Sequence, residues 1–516
     1  MTLALDPIRR WRCHVLAFSL LALCGCASPP VDLAPPRPDR PWRPSTSGQG
    51  EILPQLSSPS DQEHSDHVLP VNTALAVTPA APAIETGRPY DLAELIDLAQ
   101  SASPDTRIAW NAARQAALAA GLAKSAYLPR LSASVLGGHQ VSHARPSASG
   151  VRADSDSNVD GAVSALTLQW LLFDFGERKA LVDSANQVTL AAGINFTAAH
   201  QTLIHRVSLA YYAYAAARTR SQNAAQSLDD ARAVEKAAQA RLAHGVGTIV
   251  EVAQTRQASA QAQLFKVQAE GATQDAYVTL LAAMGVPPLT KITIAAPADH
   301  QLSTHLGADV AQLISDALGR RPDVLAAHSA VLAGEARERA ARAAFLPKVF
   351  VAANASYATG DLSVTGLPAI TPDQPPTLNL DSSRSSGLVL GGITVPIYDG
   401  GVRRNAMAQA RIRTDTARLT LEQVRNQAIQ QIVVADNTLR TSLAAHDAAE
   451  TLLEAAQTTF DAALTAYRNG LGSAPETLVA ERQLLEARNA YADAYSGALS
   501  AAATLALATG ALGESP

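Results

Sequence analysis

In the second half of the chain a small residue recurs every seven positions, at Ala428, Ala435, Ser442, Ala449, Ala456 and Ala463. Between these lie Ile432, Leu439, His446, Leu453, Phe460 and Tyr467, also seven apart and mostly large. Shifted back by 225 residues, the small series reappears as Ala210, Ala217, Ala224, Ala231 and Ala238. Its bulky companions there are less regular: Val207, Tyr214, Ser221, Leu228, Glu235 and Leu242. A 3.5-residue period belongs to helices packed knobs into holes. The pattern therefore predicts two long, closely packed helices, with a looser or wetter seam in the first. Residues 176–244, 69 in all, would make a rod of about 100 Å at a rise of 1.5 Å per residue. Elsewhere the period is two: Leu166, Leu168, Trp170 and Leu172 alternate with Thr167 and Gln169, the signature of a strand with one apolar face.

These patterns belong to one unit written twice. Ala93-Glu94-Leu95-Ile96 returns as Ala311-Gln312-Leu313-Ile314, and Pro104-Asp105 as Pro322-Asp323. Ala126-Tyr127-Leu128-Pro129-Arg130 returns as Ala344-Phe345-Leu346-Pro347-Lys348, all at an offset of 218. Beyond the first strand the offset is 225: Leu172-Phe173-Asp174 matches Ile397-Tyr398-Asp399, and Gly245, Gly247 and Gly285 match Gly470, Gly472 and Gly510. Seven extra residues thus lie in the second copy between Val349 and Ile397. A register held over two hundred residues marks an internal repeat.

Each repeat reads helix, strand, strand, long helix, helix. The opening helix is predicted over 91–126 and 309–344, ending where proline disfavours helix in the preceding residue. Strands are predicted over 131–141 with 162–173, and over 349–357 with 387–398, separated by polar loops at 142–161 and 358–386. Gly245-Val246-Gly247-Thr248 and Gly470-Leu471-Gly472-Ser473 each break a long helix and start a returning one.

Composition agrees with this reading. The chain is 47% hydrophobic but 4% aromatic; 104 of its 516 residues are alanine, the strongest helix former. A net charge of −5 argues against a nucleic-acid partner, which calls for a basic patch. All three cysteines, Cys13, Cys24 and Cys26, fall in the first 26 residues, which excludes a disulfide framework or cysteine metal site in the body.

The N-terminus reads as an export signal over 1–25. Arg9, Arg10 and Arg12 precede an apolar run at 15–23, too short to span a bilayer. Leu23-Cys24-Gly25-Cys26 resembles the bacterial lipoprotein box, which implies that Cys26 becomes the acylated first residue and that Ala27 directs it to the outer membrane. An ordinary cleaved signal or an uncleaved anchor is the alternative. Residues 26–88 read as a Pro-rich extended strap, since 13 of the 29 prolines fall within 28–89. The two repeats then occupy 89–300 and 301–516.

Four strands are too few to close a barrel, and an open sheet edge cannot sit in hydrocarbon with its backbone groups unpaired. If they enter a membrane, several chains must pool them. Here the sequence resembles the TolC family of outer-membrane efflux proteins over residues 89–513. The resemblance rests on the repeated helix opening with Pro-Asp and on the Leu-Pro-Arg/Lys strand entry. It also rests on Val395-Pro396-Ile397-Tyr398-Asp399-Gly400-Gly401 and on the Val246-Gly247-Thr248 tip followed by Ile249-Val250-Glu251-Val252. It implies an α+β membrane protein: a homotrimer with a twelve-stranded outer-membrane β-barrel continued by a long α-helical periplasmic barrel. It further implies docking of a periplasmic adaptor and an inner-membrane pump at the tips 245–248 and 470–473, with outer-membrane lipid around the barrel.

The family carries a carboxylate after each tip, lining a narrow entrance; Glu251 and Glu476 occupy those places. Two readings stand side by side. Repeated around a pore, one glutamate makes a charge ring; alternatively, both are acids favoured at helix N-termini. Other motifs carry little. Asp174-Phe175-Gly176 spells a kinase metal tripeptide but lacks its partner loops, and is predicted to be a strand-to-helix turn capped by the aspartate. His139 and His143 would suit a metal only on a helix. Asp154, Asp156 and Asp160 lack the glycine and terminal glutamate of a calcium loop and are expected in a solvated loop. No cofactor, metal or catalytic centre is expected. The expected function is the exit duct of a tripartite efflux system for small toxic organic compounds, drugs or aromatic acids. Type I protein secretion, or a lipid-anchored coiled-coil scaffold without a pore, are the alternatives.

Overall fold

The computed structural model describes residues 87–144, 147–148, 151–152, 155–297, 309–360, 365–367, 377–379 and 385–513, with positions 47, 49, 51–52, 72–75 and 302. The signal segment, Cys26, Asp154 and most of the strap lie outside the described residues. The chain divides into two units, residues 1–80 and 81–516. In the first, the described residues include one 3-10 turn, Thr73–Leu75.

The second unit holds both repeats. The first comprises β1 (Pro89–Tyr90), α1 (Leu92–Ala102), α2 (Pro104–Ser125), β2 (Arg130–Ala144), β3 (Ser147–Ala148), β4 (Val151–Arg152), β5 (Ser155–Phe173), α3 (Glu177–Ala243), α4 (Ile249–Met284) and β6 (Thr293–Ile294). The second comprises α5 (Val310–Leu318), α6 (Pro322–Ala343), β7 (Lys348–Gly360), β8 (Thr365–Leu367), β9 (Thr377–Asn379), β10 (Ser385–Thr394), α7 (Val402–Arg468) and α8 (Ala474–Ala508).

The predicted order is present, with three corrections. The opening helix is two helices in each repeat. Ser103, which precedes Pro104, is extended at φ −64° and ψ 128°, and its hydroxyl caps the next helix by accepting from Asp105 N. Arg321 before Pro322 is likewise extended. This is the pre-proline restriction acting at a second site. The strands also reach further into the predicted loops, because ladder hydrogen bonds need no apolar side chain. Asp156 and Asp160 therefore sit on β5 rather than in a loop, opposite His143 and His139 in the backbone register. In the other direction, β10 ends at Thr394 and not at Tyr398, since Pro396 offers no N–H.

The four long strands form one antiparallel sheet in the order β10-β7-β5-β2. Its register fixes which side chains share a face. Leu131, Leu168, Ala353 and Val389 share one row, and Ser132, Thr167, Asn354 and Leu388 the adjoining row on the opposite face. One face also carries Val135, Leu166, Trp170 and Ile393, all exposed. On the other, Asn354 Nδ2 donates to Thr167 Oγ1 at 3.1 Å, and the Ser356 and Ser386 hydroxyls bond at 2.7 Å. One side of the sheet is predominantly apolar; the other mixes Ser, Thr and Asn with Leu136, Leu388 and Leu390. Strands β2 and β10 have free edges among the described residues. No described helix is long and apolar enough to cross a membrane.

Both long helices, α3 and α7, contain 67 residues, about 100 Å of rod. Their small ladders are buried or half-buried throughout, Ala231, Ala238 and Ala428 completely. Helix α3 packs on α4, α6 and α8, whereas α7 packs on α6 and α8. At the end of the first hairpin a core of Leu95, Leu203, Val207, Leu280, Leu281 and Met284 excludes water almost entirely.

The sheet-to-helix turn is as predicted. Asp174 accepts from Gly176 N at 3.2 Å and from Arg178 N at 2.9 Å, capping α3. Phe175 takes a φ of +50° and Gly176 one of +91°. The second repeat uses Gly400 and Gly401 at the same two positive-φ positions, where a Cβ is costly.

Candidate functional site

Among the described residues no cluster of three or more His, Cys, Asp or Glu side chains is placed to hold a metal. The chemistry gathers instead at the two helical turns and along the seam between the hairpins.

At the first turn, Val246 N and Gly247 N both donate to Arg241 O at 3.0 Å, with Gly245 at φ +72°. A Cβ on Gly247 would lie 2.8 Å from Leu242 N, so only glycine fits. Thr248 Oγ1 then caps α4 by accepting from Glu251 N at 3.2 Å. The second turn follows the same plan through Gly470, at φ +79°, and Ser473, whose hydroxyl accepts from Glu476 N. Around the turns Val246, Ile249, Val250 and Leu471 expose most of their apolar surface, which on a soluble-facing element marks a contact site.

The two carboxylates have different surroundings. Glu476 returns to its own helix start, where Oε2 accepts from Ser473 N at 3.2 Å and completes a capping box. Glu251 is half-buried and faces Tyr467, the last bulky member of the second ladder. Burial of Tyr467, then the negative charge of Glu251, pushes the phenol above its ordinary range. Glu251 Oε2 and the Tyr467 hydroxyl are both buried without a hydrogen-bond partner among the described residues. Arg241 joins them: Nη1 donates to Tyr467 O at 3.2 Å, Nη2 to Val246 O at 3.3 Å, and the guanidinium lies 5.0 Å from the Tyr467 ring centre. Arg241, Tyr467 and Glu251 thus tie the first turn to the second within one chain.

Sequence reading found Glu251 but missed Arg241 and the role of Tyr467. A signal for both was available. At the 225 offset Arg241 stands where the other repeat has Ala466, and Tyr467 where it has Leu242. Arg241 and Tyr467 both break the repeat, whereas Glu251 and Glu476 keep it.

Further along, the α3–α8 seam is polar. Asn223 Nδ2 donates to Asn489 Oδ1 at 3.1 Å; Arg488 bridges Asp230 at 3.1 Å and Gln457 at 2.9 Å. The Ser227 hydroxyl donates to the buried carboxylate of Glu481. A buried acid, Glu481, is at the centre of this seam.

Burial raises the Glu481 pKa, helped by Asp230 and opposed by the Ser227 hydrogen bond and Arg488. A carboxyl whose folded pKa lies above its unfolded value of about 4.5 favours the folded state when protonated. That contribution is full below pH 4.5 and is lost as pH rises through the folded pKa. Glu481→Gln is accordingly expected to gain melting temperature over wild type progressively from pH 4.5 upward in detergent. A difference that stays flat with pH would contradict it.

The profile of the family described as outer membrane efflux protein matches residues 95–286 and 313–511, the two repeats. Protein CyaE of Bordetella pertussis is 28% identical over 424 residues, covering 82% of this chain and 85% of that protein. The pyoverdine export outer membrane protein OpmQ of Pseudomonas aeruginosa is 29% identical over 267 residues, 52% of this chain and 56% of OpmQ. Among solved structures, the outer membrane protein VceC of Vibrio cholerae superposes with a TM-score of 0.66 at 22% identity, over 81% of this chain and 96% of VceC.

Proposed function

Because the chain belongs to the outer membrane efflux protein family, we propose that three copies form an outer-membrane duct whose periplasmic end is held by the Arg241–Tyr467–Glu251 tie. The observation that carries this reading is the sheet. It is four strands wide, with one predominantly apolar face, hydrogen-bonded Thr167, Asn354, Ser356 and Ser386 on the other, and free edges at β2 and β10 among the described residues. Pooled strands bury those edges and set the apolar face toward lipid and the polar face toward a lumen. As a member of this family the protein is a channel component and not an enzyme.

The exposed apolar residues of the two turns are the docking points for a periplasmic adaptor, which in turn holds an inner-membrane pump. Cys26 is the lipid anchor. Small toxic organic compounds are the cargo, with export of a polypeptide as the competing use of the same duct. Purified protein in planar bilayers is expected to give discrete conductance steps; silence under every opening condition would leave the pore-free scaffold. Deleting the protein separates the cargoes. Lost tolerance to organic toxins supports efflux, whereas unchanged tolerance with a retained exoprotein supports secretion.

A further inference from the structure

The sheet and the helices below it meet at a boundary that both repeats build with the same chemistry. Phe173 closes β5 in the row of Val349 and Ile393, on the predominantly apolar face. Its counterpart at the 225 offset is Tyr398. Both rings are open to solvent, by 52% and 89%. Six residues on, in the first turns of α3 and α7, stand Lys179 and Arg404, again equivalent at 225. Both cations are exposed, and neither has an ion pair or side-chain hydrogen bond among the described residues.

Strand register and helix period together give Lys179 a direction. Lys348 alternates with Val349 along β7 and therefore belongs to the opposite face of the sheet. Its Nζ lies 2.7 Å from Glu177 Oε2, which turns Glu177 toward that opposite side. Lys179 follows two residues later, about 200° round the helix, and so projects on the side of the apolar face. The exposed Phe175 ring extends the same boundary, packed edge-on against Phe173 at 4.7 Å. Equivalence in the repeat gives Arg404 the same direction.

Neither helix electrostatics nor packing accounts for these cations. The first turn of a helix favours acids; Glu177 obeys that rule, whereas Lys179 and Arg404 break it in both repeats. No carboxylate of the turn calls for them, because Arg178 already holds Asp174 and Arg403 holds Asp399. Nor is the chain rich in positive charge, since it carries −5 overall. An aromatic ring at the end of an apolar band, with an unpaired cation just beyond it, fits the boundary between hydrocarbon and lipid headgroups. There the stem of a long cationic side chain lies along apolar surface while its charge reaches the phosphates.

We infer that Lys179 and Arg404 bind the phosphates of an acidic glycerophospholipid, of the phosphatidylglycerol type, in the leaflet on the helical side of the membrane. Phe173 and Tyr398 then lie against the start of its acyl chains. This rests on the duct proposed above, which sets the apolar face toward lipid, and adds which lipid that face selects and through which side chains. A zwitterionic headgroup brings its own ammonium to the site and gains less from the two cations. Each cation close to a headgroup layer favours an anionic lipid by about fivefold.

The test reconstitutes full-length protein in mixed phosphatidylcholine and phosphatidylglycerol bilayers, extracts it in mild detergent, and measures the retained lipids by mass spectrometry. Wild type is expected to retain phosphatidylglycerol in excess of its share of the bilayer. Lys179→Gln and Arg404→Gln should each lower that enrichment about fivefold. Lys179→Arg should keep it, and so should Lys236→Gln, which removes the same charge far along α3. Inorganic phosphate added during extraction should not displace the lipid. Equal retention of both lipids by wild type, unchanged enrichment in both Gln variants, or displacement by inorganic phosphate overturns the inference. Planar-bilayer recording of the same preparation separates the two readings. Protein that conducts but holds both lipids equally overturns the lipid selection while the duct stands; protein that neither inserts nor conducts overturns both.

Discussion

Arg241→Ala is expected to raise the conductance and open probability of the reconstituted protein at least tenfold, because it cuts the hydrogen bonds that join the first turn to the second. The guanidinium donates to Tyr467 O and Val246 O and covers the Tyr467 ring. Hydrogen bonds from a charged donor contribute about 1.5–3 kcal/mol each in favourable settings. Losing them both, with partial relief from water, removes roughly 3 kcal/mol, on the order of 100-fold in an equilibrium between tied and untied turns. Arg241→Lys retains the charge but not the fork and is expected to fall between the two. Glu251→Gln should act in the same direction with less effect, since Arg241 still holds the Tyr467 carbonyl. Single-channel recording decides the matter. Unchanged open probability in Arg241→Ala would mean that the turns are restrained elsewhere.

Arg178→Ala is expected to be the most damaging single change to stability, at about 3–5 kcal/mol. Arg178 is buried beside Asp174, with Nε 2.8 Å from Oδ2. Its other nitrogens donate to the carbonyls of Ala126, Leu171 and Leu172, so one side chain fastens α2, β5 and α3 together. Removing it leaves a carboxylate without its cation and three carbonyls short of a donor. The double variant Asp174→Asn/Arg178→Ala should recover part of the loss, since the stranded charge goes with its partner. The equivalent Arg403–Asp399 pair also spans 2.8 Å but stands more open to water, and Arg403→Ala should cost clearly less. Thermal unfolding in detergent ranks all three. Equal losses at Arg178 and Arg403 would show that burial is not what distinguishes the two repeats.

Much of the fold is legible in residue order because it depends on short periods. The seven-residue ladders locate the long helices, the alternation at Leu166–Leu172 marks a strand with an apolar face, and the offsets 218 and 225 reveal the duplication. The errors share one physical origin. The apolar pattern runs on through Pro104 and Pro322 and so predicts one helix there, although the backbone of Ser103 and Arg321 cannot continue it. Side-chain polarity predicts shorter strands, whereas the ladder between β2 and β5 is held by the backbone and continues through Ser, Asp and His.

The site divides along the same line. Glycines at the turns and a carboxylate three residues after Thr248 or Ser473 are local features and can be read from the sequence. That Glu476 closes a capping box while Glu251 turns toward Tyr467 cannot, because the two share a position in the repeat and differ only in what the opposite hairpin presents. Sequence alone determined the unit, its duplication, its helices and its turns, since these follow from contacts within a few residues of chain. Only the tertiary structure decided which hairpin meets which, that one seam is polar with a buried Glu481, and that Arg241 and Tyr467 tie two turns 226 residues apart. Those outcomes depend on side chains brought together by packing, where distance along the chain carries no information.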